Sequence, residues 1–346
     1  PKVRPLIQEC WPDDTPEQLK QWMETRAVRT RRLSSIVMTM AVALTAVATD
    51  AKGDGAYDIT AGLWIPFLPK YTAGSIVSGG VPQQTEIFQE DQNGFGGQIG
   101  FKGFYHFAPT RTMLEFDLNF AGADNIASGS QTFADPGPSA GVWFASAGGG
   151  EAQVSVDGGV GTISVDGDVI HHSQYIGLRD RFDLRDWGIG LFDVGCGFSH
   201  LAFEQDYKLT GQFGANLARI DEDLDNDYLG GEVRTTIIRR LGRRNVMLDF
   251  DLGLFDLDGT YKAVSTFPGA SDQANVSLKK TAFTIDVGLR TEVIWRGVTI
   301  KPGINFKYIS DMATILHPAN VEVPVQPVTL TTDAGYILGL NIELLL

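Results

Sequence analysis

The chain is short of the residues most chemistry needs. Cysteine occurs twice in 346 residues, at Cys10 and Cys196. Two such distant thiols give no disulfide framework and no zinc-ligand spacing. Histidine occurs five times, at His106, His171, His172, His200 and His317. Gly-x-Ser-x-Gly, His-Glu-x-x-His and the phosphate-binding loop are all missing, so no nucleophile elbow, zinc-protease helix or nucleotide cradle can be read. His171 and His172 would point to opposite faces of a strand and could not share a metal there. The reading is therefore not an enzyme, and no cofactor is expected. After residue 50 no apolar run is long enough for a helical membrane span, which needs about 18 residues or more. Basic residues are outnumbered, 28 to 42, for a net charge of −14. That balance argues against nucleic acid as a partner, because such binding is dominated by neutralising phosphates.

What is present begins with a leader. Arg26, Arg29, Arg31 and Arg32 precede an apolar stretch from Leu33 to Val47, closed by Ala46-Val47-Ala48. A basic flank, a short apolar core and small residues at a cleavage point make a secretory signal. The expected organisation is an N-terminal extension with signal peptide over 1–48 and one β-domain over 49–346. Residues 1–48 hold seven basic and five acidic groups, leaving a net charge of −16 for the remainder. Within 1–25, Thr15-Pro16-Glu17 resembles a helix start, with Thr as the cap and Pro in the first turn.

From Tyr57 onward the pattern is that of strands. Side chains alternate faces along a strand, and several segments divide cleanly. Val246, Leu248, Phe250, Leu252 and Leu254 oppose Met247, Asp249, Asp251 and Gly253. Phe283, Ile285, Val287 and Leu289 oppose Thr284, Asp286, Gly288 and Arg290. The same holds for 112–120, 298–308 and 336–346. In 187–203 the phase is ambiguous, since Trp187, Ile189 and Leu191 alternate with Phe192, Val194, Cys196 and Phe198; a bulge would switch it. Asp180 shares a face with Ile176, Leu178 and Phe182. A small repeat, Val154-Ser-Val-Asp-Gly158 and Ile163-Ser-Val-Asp-Gly167, suggests a hairpin, because Asp-Gly favours tight turns.

About ten such segments are separated by gaps that alternate long and short. The long gaps are 69–94, 123–167, 206–226, 263–274 and 311–332; the short ones lie near Pro109, Arg185, Gly242 and Arg296. Outer-membrane barrels have long outer loops and short periplasmic turns. The expected fold is all-β, a transmembrane antiparallel β-barrel of about ten strands, or twelve if the repeat enters the wall. Both termini would be periplasmic. Trp64, Tyr105, Phe107, Trp187, Tyr261, Trp295 and Tyr308 fall at strand ends and suit interfacial girdles. The 40 glycines, many inside strand patterns, fit tight curvature and close backbone approach. A soluble β-sandwich is the competing fold, since alternation alone does not separate the two.

The stretches Gln174-Tyr-Ile-Gly-Leu-Arg-Asp-Arg-Phe-Asp-Leu184, Gly188-Ile-Gly-Leu-Phe-Asp-Val-Gly-Cys-Gly-Phe198, Asp227-Tyr-Leu-Gly-Gly-Glu-Val-Arg234 and Thr284-Ile-Asp-Val-Gly-Leu-Arg290 resemble the Legionella-type major outer membrane protein family. The likeness covers roughly the C-terminal half. The first half departs from it, with a glycine-rich stretch at Gly148–Gly150. This resemblance implies a pore-forming role and supplies no catalytic residue.

On this register the pore-lining charges are Lys102, Glu115, Asp117, Arg179, Arg181, Glu232, Arg234, Asp249, Asp251, Asp286, Arg290, Glu292, Lys301 and Lys307, with Arg240 and Glu343 beside them. Opposed charges in a narrow lumen either line a hydrated constriction or pair and fill it. Barrels near eight strands are filled by side chains and larger ones open, so ten stands at the boundary. The expected function is a porin-like channel for passive diffusion of small polar solutes or ions. The alternative is a closed structural or surface-recognition barrel acting through its loops. The acidic run holding Asp221, Asp223, Asp225 and Asp227 is a weak candidate for a hard cation, set against a solvated acidic loop. It lacks the glycine and distal glutamate of an EF-hand. The expected location is the outer membrane of a Gram-negative bacterium. The expected partners are membrane lipid and lipopolysaccharide, with the barrel-assembly machinery reading the last strand, where Gly339, Ile342 and Leu344 carry the spacing. Association of protomers is left open.

Overall fold

The protein is described by a computed structural model covering residues 55–345, except 74, 79–80, 84–87, 108–109, 135–140, 144–152, 156–159, 214–215, 243, 268–269 and 318–326. The leader and the helix start near Thr15 lie outside these residues. In chain order the strands are β1 (Gly55–Ala73), β2 (Ser75–Ser78), β3 (Val81–Gln83), β4 (Phe88–Asn93), β5 (Phe95–His106), β6 (Thr112–Ala134), β7 (Gly141–Trp143) and β8 (Gln153–Ser155). They continue with β9 (Val160–Leu184), β10 (Gly190–Phe213), β11 (Asn216–Leu241), β12 (Arg244–Phe267), β13 (Ala270–Thr291), β14 (Val293–Trp295), β15 (Val298–Leu316) and β16 (Thr329–Leu345).

Ten of these form a closed wall. Each long strand pairs with its neighbours along β13-β12-β11-β10-β9-β6-β5-β1-β16-β15, and the β13–β15 pairing closes the ring. The wall pairings are antiparallel. Closure leaves no free sheet edge, which a β-structure in a membrane requires. Asp58 pairs with Leu345, so the wall begins and ends at the end of the short turns. β4 extends the β5 position along β1, and β14 extends β13 along β15. The fold is an all-β transmembrane antiparallel barrel.

Two expectations change here. The gaps at 206–226 and 263–274 are strand: β10 and β11 pair up to Phe213↔Asn216, and β12 and β13 up to Phe267↔Ala270. The staves run far past the segments that alternation identifies. The Ser-Val-Asp-Gly repeat is also not a hairpin. Its first copy contributes to β8, which joins β3, β2 and β7 in a separate four-stranded sheet, while its second copy lies in the wall within β9. The repeat therefore adds no stave.

The outer surface identifies the medium. Phe198, Leu229, Val233, Leu248, Phe250, Leu252, Leu254, Phe283 and Leu289 are all exposed, Leu254 to 64% and Phe198 to 75%. Leaving a Leu or Phe side chain in water forgoes about 1.5–3 kcal/mol relative to burial. A continuous belt of them marks a lipid-facing surface. Beyond the belt the same staves reverse polarity without changing phase. On β12 the even residues through Leu254 face out and are apolar; further along, the odd residues Phe255, Leu257 and Tyr261 face in and are fully buried. On β11, Ile220, Leu224 and Tyr228 are buried inward while Asp221, Asp223, Asp225 and Asp227 alternate with them. One end of the barrel is thus apolar outside and polar inside. The other has an apolar core and a polar exterior.

The ambiguous segment 187–203 resolves in the same way. β10 pairs with β9 and β11 residue for residue, with no shift in register. No bulge exists there. Phe192, Val194, Cys196 and Phe198 share the lipid face, and Asp193, Gly195, Gly197 and Ser199 face inward.

Candidate functional site

The lumen contains two stacked zones. Nearer the short turns lies an ionic zone. Glu115, on β6, receives Lys102 Nζ at 2.9 Å and Arg179 Nε at 2.7 Å. Arg234, on β11, reaches Glu115 at 3.4 Å, Asp117 at 2.8 Å and Glu232 at 2.6 Å. To do so it crosses two intervening staves, β9 and β10. The path is open because β9 and β10 present Gly177, Gly195 and Gly197 inward. On that glycine floor lies the Tyr175 ring, 3.7 Å beneath the Arg234 guanidinium. Cation–π contacts of this kind contribute about 2 kcal/mol or more when desolvated.

Gly177 itself cannot carry a side chain here. A Cβ would collide with Tyr175 Oη and lie 2.6 Å from the Cys196 carbonyl oxygen. Gly177→Val should therefore displace Tyr175 and lower stability by about 1–3 kcal/mol, the usual range for overpacking. A urea titration followed by heat-modifiable gel migration measures it, and an unchanged midpoint would show that the floor tolerates bulk.

The rest of the zone is equally paired. Arg290 holds Asp249 at 2.7 Å and Glu343 at 2.5 Å, and Thr236 donates to Asp249 at 2.7 Å. Lys307 faces Asp286 at 3.5 Å, and Lys301 holds Asp58 at 2.8 Å. Between these groups remains a cavity of about 160 Å³, lined among others by Asn119, Asp251, Asp286, Asn305 and Asn341.

The second zone begins with a row of rings. Trp64 stacks on His171 at 5.9 Å, His171 on Phe203 at 4.3 Å, and Phe203 meets Tyr228 edge-on at 6.1 Å, which meets Phe255 at 6.4 Å. All five side chains are buried, to 3% exposure or less. His171 Nδ1 lies 2.9 Å from the Ala202 carbonyl, so its N–H points there. Across the lumen Asn226 accepts from the Ala313 amide at 2.6 Å and Tyr228 donates to the Asp311 carbonyl at 2.9 Å. Farther from the belt Glu222 accepts from Tyr71 and, at 2.6 Å, from Tyr261; His317 Nε2 lies 3.0 Å away. Leu209, Ile220, Ile309, Met312 and Ile315 pack around this knot.

The structure places most of these charged side chains inside the barrel. Lys102, Glu115, Asp117, Arg179, Glu232, Arg234, Asp249, Asp251, Asp286, Arg290, Lys307 and Glu343 form the ionic zone. Arg181 and Arg240 sit nearer its mouth, Arg181 held by Asp193 at 2.7 Å. Glu292 lies just beyond β13, in phase with inward Arg290, and accepts at 2.7 Å from Asn245, which shares the inward face of β12 with Asp249 and Asp251. Asp58 and Asp193, both buried inward partners of lumen cations, are absent from the expected set. Asp193 is hidden by the ambiguous phase of its segment, and Asp58 by an apolar neighbourhood on both sides. Trp64 and Tyr261 are not girdle residues; they are fully buried in the second zone. Trp187 and Trp295 are exposed at the short turns, as expected.

His171 and His172 do separate, one into the lumen and one outward, where His172 lies 5.5 Å from His200. Asp221, Asp223, Asp225 and Asp227 lie on a strand, not a loop. They are strung along one face rather than converging, since residues two apart on a strand are about 6.6 Å apart. Among the described residues, no group of three His, Cys, Asp or Glu side chains is placed to hold a metal.

No protein-family model and no curated protein matches the chain. Among solved structures it is similar to the outer membrane protease OmpT from Escherichia coli, at 7% identity and TM-score 0.46, covering 85% of this chain and 98% of that one. It is similar to the translocator domain of the autotransporter NalP from Neisseria meningitidis, at 10% identity and TM-score 0.36, covering 94% and 97%. A Pseudomonas aeruginosa FadL homologue follows at 8% identity and TM-score 0.26, covering 84% and 90%. Likenesses this distant carry no argument about activity or ligand.

Proposed function

We propose that this protein is an outer-membrane barrel of a Gram-negative bacterium, sealed by its own side chains and acting through the surface it presents outside. The observation that carries this reading is the row Trp64, His171, Phe203, Tyr228 and Phe255, buried across the lumen. An ion leaving the ionic zone would have to enter that apolar layer without water. Transfer of an unpaired charge into such surroundings costs far more than thermal energy supplies. The lipid belt and edge-free wall support the membrane location, and bacterial outer membranes are where barrels of this kind reside.

A second reading is supported by a different observation. The cavity among Asp251, Asp286 and Asn305 is a charged constriction with both signs present, as a porin-like channel for small polar solutes would use. The resemblance to the Legionella-type pore-forming family implies the same. Under this reading the apolar zone must move aside.

Planar-bilayer recording separates the two. Purified, refolded protein that migrates as a heat-modifiable band should insert without producing discrete conductance steps. Regular steps from every preparation would favour the porin-like channel and overturn the sealed barrel.

A further inference from the structure

In a chain of net charge −14, one short turn reads Arg239-Arg240-Leu241-Gly242-Arg243-Arg244. This turn joins β11 to β12 at the end of the barrel that carries the lipid belt. Gly242 takes φ 63°, which lets the chain reverse tightly. Pairing fixes the directions: Leu241 opposes Arg244, and Arg239 opposes Val246. Arg239, Leu241, Arg244 and Val246 therefore share the outward face, directly below Leu248 and Phe250 of the belt. Arg240 takes the other face and bonds the Gly242 carbonyl at 3.3 Å.

The next turn along the wall completes the patch. Trp295 opposes Val298 on the same outward face and is 58% exposed. Arg296 stands over its indole at 4.8 Å. The two turns are linked by the Glu292 amide, which donates to the Asn245 carbonyl at 2.9 Å, and by the Asn245–Glu292 side-chain bond at 2.7 Å. Among the described residues, Arg239 and Arg244 have no ion-pair partner. By contrast, Arg185 in the preceding short turn is held by Asp183.

We infer that Arg239 and Arg244, with Arg296 and the Trp295 indole beside them, form a docking surface for the phosphate of an anionic glycerophospholipid in the periplasmic leaflet. The inference rests on the outer-membrane reading above. Charge complementarity selects the occupant. Two unpaired guanidinium groups sit at the depth where an indole marks the headgroup boundary, immediately below a surface that holds acyl chains. Guanidinium matches phosphate with paired hydrogen bonds.

The test uses the full protein reconstituted in vesicles containing brominated phosphatidylglycerol or brominated phosphatidylcholine. In a Trp187→Phe background, which removes the other tryptophan exposed at the short turns, quenching of tryptophan fluorescence reports which lipid lies against the wall beside Trp295. Native protein should prefer phosphatidylglycerol by about tenfold, given the usual attraction of each surface arginine for anionic lipid. Arg239→Gln with Arg244→Gln should bring the ratio close to one, and Arg239→Lys with Arg244→Lys should keep most of it. Equal quenching by both lipids in native protein would overturn the inference, as would an undiminished preference in the glutamine variant. Failure of native protein to enter either vesicle would overturn the outer-membrane reading instead, and heat-modifiable migration distinguishes that case.

Discussion

Arg234→Ala is expected to cost about 3–5 kcal/mol, the range for removing one partner of a buried ion pair. The size follows from what remains. Glu115 is fully buried, Glu232 nearly so, and Asp117 stands beside them. Without the guanidinium these carboxylates face one another with Lys102 and Arg179 beside Glu115 and Lys307 beside Glu232 to offset them. Tyr175 also loses the cation above its ring. The measurement is the urea midpoint of the refolded protein in detergent, read by heat-modifiable migration. Adding Glu232→Gln should recover part of the loss, because it removes one of the stranded charges. A single variant as stable as the native protein would mean that the zone is hydrated enough to screen its own charges, which would favour the porin-like channel.

A graded reactivity should appear along the lumen. With Cys10 and Cys196 replaced by serine, a thiol introduced by Asn305→Cys lines the cavity, whereas one introduced by Leu224→Cys lies in the apolar zone, where Leu224 is 1% exposed. The second should react with a small charged thiol reagent more slowly by about a hundredfold or more. A buried thiol reacts only when its surroundings open, and each 1.36 kcal/mol of opening is a factor of ten in rate. An opening cost of about 3 kcal/mol therefore suffices. Equal rates at the two positions would mean that water runs the length of the barrel, and the sealed reading would fall.

The ring, its closure and the lipid face were legible in the sequence because alternation is strict where lipid lies on one side and charge on the other. Phe250 against Asp251, or Leu289 against Arg290, leaves one choice of face. The outer half was not legible for a specific physical reason. There the inward side chains are apolar and the outward ones polar, so the pattern inverts while the strand continues. At Leu254-Phe255 two apolar residues fall side by side, one for lipid and one for the core. A period-two reading takes that junction for the end of a strand and the acidic stretch beyond it for a loop. Asp221, Asp223, Asp225 and Asp227 were misplaced for this reason, and so were Trp64 and Tyr261, which belong to an interior that the sequence pattern does not announce. The ion pairs were legible as charges facing inward but not as partners. Arg234 meets Glu115 across three stave-to-stave steps, and that reach depends on glycines whose significance appears only in three dimensions.

The unbroken register of β10 constrains how the chain can change length. From Leu191 to Phe213 every residue has a fixed partner on both sides. Deleting one residue anywhere in that run reverses the side on which all later residues point. Phe198 would enter the lumen and Asp193 or Ser199 would meet lipid, depending on which end shifts. Deleting two would restore every face and only shorten the stave. Variation in the length of this wall is therefore confined to even steps, and single-residue insertions or deletions belong in the turns.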